Sequence, residues 1–396
     1  MSHPTSSSQW SSHLALWVLG LTVGLGAASC VAVTPQGGSA PPTPPAATQP
    51  ANVQEPPGKG VEAITTAPTN LRTRWTCSLH LERVRNAYLV GDLLFVEVAY
   101  GRLLALDANT GALLWSRLQP KPLDQPPCAQ ENMVYYFAGG RMYAVHKDSG
   151  TDEINKKVPI AVVTPPICYK DLLLVASSHP RINGVGMKTA WPEWFKRYED
   201  HILGLVLYSN ERLIVLDAAG NLCSHSPKDG SLQWTTRLEK PPIVAPAASA
   251  EAVFVGGADY FLYAFDPRGG GIVWKSPTGA ASVQPPIYAH GVVVGVLQSG
   301  EAAAFEAKEG TLLWKLPGAQ RFLTATPKRA YLVMSDNTLL CVGLQDGVPE
   351  GRLDIGRNQF LCSEPERGQF FAVTPQGRVT CLADTATLPR REYAPE

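Results

Sequence analysis

GRLLALDANTGALLW, residues 101–115, decides the fold. An alternating apolar run leads into Asp107-Ala-Asn-Thr-Gly111, after which a strand restarts toward Trp115. Asp and Asn supply acceptors for a tight turn, and Gly supplies a residue that takes positive φ without strain. Alternating runs broken by such turns are hairpin signals in series. The same arrangement returns as GSLQW (230–234), GGIVW (270–274) and GTLLW (310–314), each with Trp four residues after Gly. Trp234, Trp274 and Trp314 lie 40 residues apart, the spacing of a repeat architecture.

Stepping back from Trp234 by 40, with slips of at most one residue, reaches Trp194, Ile154, Trp115 and Trp75; stepping forward from Trp314 reaches Leu353. These eight anchors each mark the last strand of a four-stranded unit. A second mark runs alongside. Pro127, Pro166, Pro246, Pro286 and Pro365 lie 12 residues after an anchor and Pro327 lies 13 after, which suits the start of an edge strand that has one unpaired side.

A single four-stranded sheet leaves both faces uncovered, and stacking such sheets radially covers them while leaving only short edges. The chain is therefore expected to be all-β, an eight-bladed propeller over residues 69–386. Trp75, Trp115, Trp194, Trp234, Trp274 and Trp314 are expected to fill the widening gaps between blades, each burying about 150–250 Å². Residues 359–382 hold only three strands, whereas residues 72–80 form a strand with no blade of its own, so the N-terminal strand should complete the last blade.

The run G-x-(L/Y)-x-A-(L/F)-D-x-x-(T/G)-G-x-x-x-W, as in GRLLALDANTGALLW, resembles the repeat of pyrroloquinoline-quinone (PQQ) propellers. That repeat class holds quinoprotein dehydrogenases and the BamB-like lipoproteins of outer-membrane β-barrel assembly. Repeat number, length and layout resemble the BamB-like branch. The resemblance implies a non-enzymatic scaffold for envelope proteins, with a β-barrel assembly protein as partner. The marked residues are turn and packing residues, so they specify fold better than activity.

The N-terminal segment reads separately. Residues 14–29 are an apolar stretch too short to span a bilayer, ending in Ala27-Ala28-Ser29 before Cys30. Residues 1–30 are expected to be a signal peptide with a lipobox, although no Lys or Arg precedes the apolar run and Ala27 stands where Leu is usual. Cys30 would carry the lipid. Residues 31–68 hold eight prolines between Pro35 and Pro57 and form a tether. Residues 387–396 form a tail. The implied location is extracytoplasmic, lipid-anchored to the outer membrane and facing the periplasm.

Lys plus Arg and Asp plus Glu balance at 34 each, which disfavours nucleic acid as a partner. No Cys-Cys pair, H-E-x-x-H, G-x-S-x-G or P-loop occurs, and the eight histidines fall singly without metal-ligand spacing. The reading expects no catalytic residue, no metal and no cofactor. Two alternatives stay open: a PQQ-binding or redox propeller using the central channel, and a surface propeller that binds glycan or another ligand.

Seven cysteines follow Cys30, so at least one is unpaired within the chain. Cys223, Cys341 and Cys381 fall at or beside the small-residue position of Ala105, Ala144 and Ala264 and read as buried thiols. Cys77, on the closing strand, and Cys381, on its expected neighbour, are candidates for a disulfide. The least repeat-like stretch, residues 179–201, loses the Asp-x-x-x-Gly turn and gathers Arg181, Lys188, Trp191, Phe195, Arg197 and Tyr198. Aromatics with Arg are the composition of a protein-binding hot spot, and these six are the candidate partner surface. The competing reading is a diverged blade whose aromatics pack.

Overall fold

In the computed structural model, residues 70–79, 83–209, 211–356 and 360–387 are described. The proposed signal peptide, Cys30, the tether and most of the C-terminal tail lie outside the described residues. The described residues form eight four-stranded antiparallel sheets. Seven are consecutive meanders: blade 1 (84–118), blade 2 (128–157), blade 3 (167–197), blade 4 (202–237), blade 5 (247–277), blade 6 (287–317) and blade 7 (319–354). First strands of successive blades approach one another for blades 2–3, 4–5, 5–6, 6–7, 7–8 and 8–1, the second strand of blade 3 meets the first of blade 4, and a shared apolar cluster joins blades 1 and 2. The ring is closed.

Blade 8 takes Phe360–Ser363, Gln369–Val373 and Arg378–Asp384 from the C-terminal end and Leu71–Ser78 from the N-terminal end. The latch expected from the sequence is present. Leu71 pairs with Asp384 and Ser78 with Arg378 across the closing strands. At the neighbouring seam the buried Asp384 carboxylate accepts from Tyr331 Oη at 2.6 Å and pairs with Arg329, which also reaches Glu350. Burial and this carboxylate hold the Tyr331 phenol far above its usual pKa.

Each anchor Trp is a clamp between blades. Its ring lies on the turn glycine of the next blade, and in all but Trp194, whose Nε1 is buried without a partner, the indole N–H donates to a carbonyl in that turn. Trp115 Nε1 reaches Lys147 O at 2.6 Å and Trp274 Nε1 reaches Ala307 O at 2.9 Å, and Trp75, Trp234 and Trp314 do the same. The glycine is thus required twice. Gly150 has φ of +65°, and a Cβ there would sit 2.6 Å from the Trp115 ring. Sequence reasoning found the first requirement and missed the second.

The exception follows the same rule. Where the anchor is Ile154, the turn of the next blade carries Ala190 at the glycine position, buried and with φ of 56°. A smaller anchor leaves room for a methyl group. Residues 179–201 accordingly form a regular blade edge, and Ala190 N donates to Gly186 O at 2.9 Å as Gly111 N does to Asp107 O at 2.8 Å.

Three sequence assignments shift. The residue of blade 7 equivalent to the anchor is Gly351, opposite Cys341 as Trp115 is opposite Ala105; Leu353 lies two residues further along the same strand and opposes Leu339. Pro127, Pro166, Pro246 and Pro286 directly precede a first strand, but Pro327 and Pro365 follow one, because the first strands of blades 7 and 8 begin sooner after the anchor. Lastly, Cys77 opposes Val379 while Cys381 opposes Trp75. The two cysteines are diagonal neighbours, and a diagonal separation of about 7–8 Å is too long to bridge.

Candidate interaction surface

The outermost strand of blade 3, Pro192–Arg197, carries the candidate patch on the side facing blade 2. Trp194 points the other way, onto Gly230 of blade 4. At the position of Phe195 the other blades carry Thr76, Ser116, Asn155, Thr235, Lys275, Lys315 and Arg352. At the position of Trp191 they carry Ala112, Thr151, Ser231, Gly271, Thr311 and Val348. Two large aromatics therefore replace mostly small or polar residues. Trp191 is 62% exposed and Phe195 48%.

Arg181 and Arg197 are directly opposed across the strand pair, a repulsive arrangement for two cations. Phe195 relieves it by presenting its ring to both guanidinium groups, at 5.6 Å and 5.9 Å. Arg181 Nε is buried and has no hydrogen-bond partner in the chain. Beneath the aromatics, Pro159, Ile160, Arg181, Asn183, Trp191 and Phe195 line a cavity of about 200 Å³. Pro159 and Ile160 also line an adjoining open depression of about 530 Å³, together with Asp124, Gly140 and Val162.

Lys188 is exposed at the neighbouring turn, and its carbonyl accepts from Lys156 Nζ at 3.0 Å. Tyr198 belongs elsewhere. It packs into the seam between blades 3 and 4, with Oη 2.6 Å from His225 Nε2. Five of the six candidate residues thus share one rim, and Tyr198 is a packing residue.

His225 Nδ1 lies 2.9 Å from the carbonyl of Gly230, which can only accept, so Nδ1 carries the proton and Nε2 accepts from Tyr198. Burial, aided by Lys196, holds the His225 pKa below its ordinary value, so the folded state keeps it neutral. Unfolded chains take up that proton below about pH 6.5. The contribution of His225 is complete above that pH and declines as pH falls through and below it. The stability gap between the native protein and His225→Gln, read from urea midpoints, is expected to be largest near pH 7.5 and smaller at pH 5. An equal gap at both values rejects this assignment.

Among the described residues no group of three or more His, Cys, Asp or Glu side chains converges. The geometry defines an eight-bladed propeller built on PQQ-type repeats, with its least regular chemistry on the rim of blade 3. The chain belongs to the family described as outer membrane protein assembly factor BamB, whose pattern matches residues 64–178 and 188–393. Two curated relatives carry that name. The one from Yersinia pestis is 25% identical over 153 residues, 34% of this chain and 39% of the relative. The one from Moranella endobia (strain PCIT) is 21% identical over 271 residues, 64% of this chain and 63% of the relative. The chain thus spans less than two thirds of either relative in these matches. Among solved structures, BamB from Moraxella catarrhalis superposes with a TM-score of 0.67 at 15% identity, covering 81% of this chain and 99% of that one. The computationally designed Ika8 protein superposes at 0.59 and 14% identity, covering 76% and 98%. At these identities the structural likeness concerns the fold.

Proposed function

We propose that this protein is a non-enzymatic scaffold of the cell envelope that supports assembly of β-barrel proteins into the outer membrane. In this reading Cys30 carries a lipid, residues 31–68 act as a leash, and the propeller works on the periplasmic side. The observation that carries the partner surface is the exposed Trp191–Phe195 pair, framed by Arg181 and Arg197 over a cavity. The few residues that dominate binding energy at protein interfaces are enriched in Trp, Tyr and Arg. The family pattern leaves out residues 179–187, which hold Arg181 and the third strand of this blade.

The partner would present an apolar segment with acidic flanks, matching Arg181, Lys188 and Arg197. Affinity capture of the tagged full chain from envelope extracts is expected to recover a β-barrel assembly component. Trp191→Ala/Phe195→Ala is expected to reduce that recovery about tenfold or more, since truncating a hot-spot aromatic costs about 2 kcal/mol. Recovery of no barrel-assembly component sinks the function. Undiminished recovery with the double variant sinks the surface.

A further inference from the structure

The seam between blades 2 and 3 lacks the clamp found at five others. Its anchor is Ile154, so no indole N–H ties the outer strand of blade 2 to a carbonyl of blade 3. Apolar packing of Phe137, Met142, Ile160, Leu173, Val175 and Val185 fills its middle. At its inner end stand two cysteines, Cys128 on the first strand of blade 2 and Cys168 on the first strand of blade 3. Their sulfurs are 2.8 Å apart, inside the contact distance of two unbonded sulfur atoms.

The repeat register explains why they meet. Gln130 and Tyr169 are equivalent, each the last residue before a two-residue turn to Met133 and Leu172. Cys128 is therefore equivalent to Ile167, and Cys168 to Ala129. Neighbours along a strand point to opposite faces. Ala129 packs toward blade 1 and Ile167 toward blade 4, so Cys128 faces forward and Cys168 faces back. Two cysteines at the same repeat position would both face one way and never touch.

We propose that Cys128 and Cys168 form an inter-blade disulfide that clips a seam without an anchor Trp. Two S–H bonds are lost and one S–S bond forms. The S–S bond of a glutathione-type or protein disulfide oxidant breaks in exchange, and the two protons and two electrons end in the two S–H bonds of its reduced form. The attacking species is a thiolate. Burial, together with the neighbouring Cys168, raises the Cys128 thiol well above its ordinary pKa. The other described cysteines have other neighbours. Cys223 Sγ lies 3.2 Å from Thr235 Oγ1, Cys362 lies against the Phe371 carbonyl, and Cys77, Cys341 and Cys381 face Val379, Gly351 and Trp75 across their strands.

The test is done in a glutathione buffer and so does not depend on where the protein resides or on the proposed partner. The full chain is refolded in mixed oxidised and reduced glutathione, denatured, alkylated and digested without reduction. Mass spectrometry is expected to find one linked peptide pair joining Cys128 to Cys168, with Cys77, Cys223, Cys341, Cys362 and Cys381 alkylated. Reductant is expected to lower the melting temperature of the native sequence by about 5 °C and to leave that of Cys128→Ala/Cys168→Ala unmoved. Recovery of Cys128 and Cys168 as alkylated monomers, or joined to other cysteines, overturns the proposal. An equal response to reductant in the double variant does so as well.

Discussion

A chain that starts at residue 83 is expected to lose the cooperative folding shown by one that starts at residue 70. The difference removes Leu71–Ser78, the outermost strand of blade 8. Its partner Arg378–Asp384 would become an open edge with a row of unpaired backbone groups. Buried Leu71 would leave the cluster between blades 7 and 8, and Trp75 would leave the seam between blades 8 and 1. A large buried side chain is worth about 2–5 kcal/mol, and a whole domain has about 5–15 kcal/mol. Two such residues and a strand pairing are comparable to the total. Truncation is therefore expected to give aggregates on gel filtration and a broad thermal transition starting far below that of the longer chain. A monomeric truncated protein that melts cooperatively at the same temperature would falsify the latch as a stabilising element.

The latch was legible in the sequence for the reason that it matters physically. A 40-residue period leaves an incomplete unit at each end, and only pairing the two leaves no open sheet. Other assignments depended on which residue faces which, and there the period is too coarse. Leu353 and Gly351 are both on the outer strand, and counting by 40 cannot tell them apart when the anchor is no longer Trp. The prolines looked like one mark because they recur at similar spacing. The structure separates them, since Pro127 precedes a first strand and Pro365 follows one.

The candidate surface was half legible. Trp191 and Phe195 stand out once aligned with the small or polar residues of the other blades, and that alignment needs only the sequence. Tyr198 looked the same by composition, yet a buried acceptor, His225, takes its hydroxyl. The cysteines show the limit most clearly. Cys77 and Cys381 lie on adjacent strands as expected, and a shift of two residues keeps them apart. Cys128 and Cys168 are 40 residues apart, which suggests equivalent positions that never meet. A one-residue slip in the turn between them puts their sulfurs face to face.

The anchor and the turn glycine should behave as one unit, and the protein contains its own comparison. Gly150→Ala places a methyl group 2.6 Å from the Trp115 ring at a φ of +65°, adding overpacking to left-handed strain. Its expected cost is about 3 kcal/mol. Trp115→Ile should cost a similar amount, about 3 kcal/mol, by opening a cavity and removing the hydrogen bond to Lys147 O. Combined, the two reproduce the Ile154–Ala190 pair that this chain already uses between blades 2 and 3. The methyl group then enters space that the indole has vacated, so one defect partly repairs the other. The double variant is expected to be more stable than the sum of the single losses by about 1–2 kcal/mol, read from denaturant midpoints at constant slope. In the reverse direction, Ile154→Trp alone should destabilise by clashing with Ala190, and Ala190→Gly should recover most of the loss. Losses that simply add, within about 0.5 kcal/mol, would mean that the glycine serves only its turn and that ring and glycine are independent.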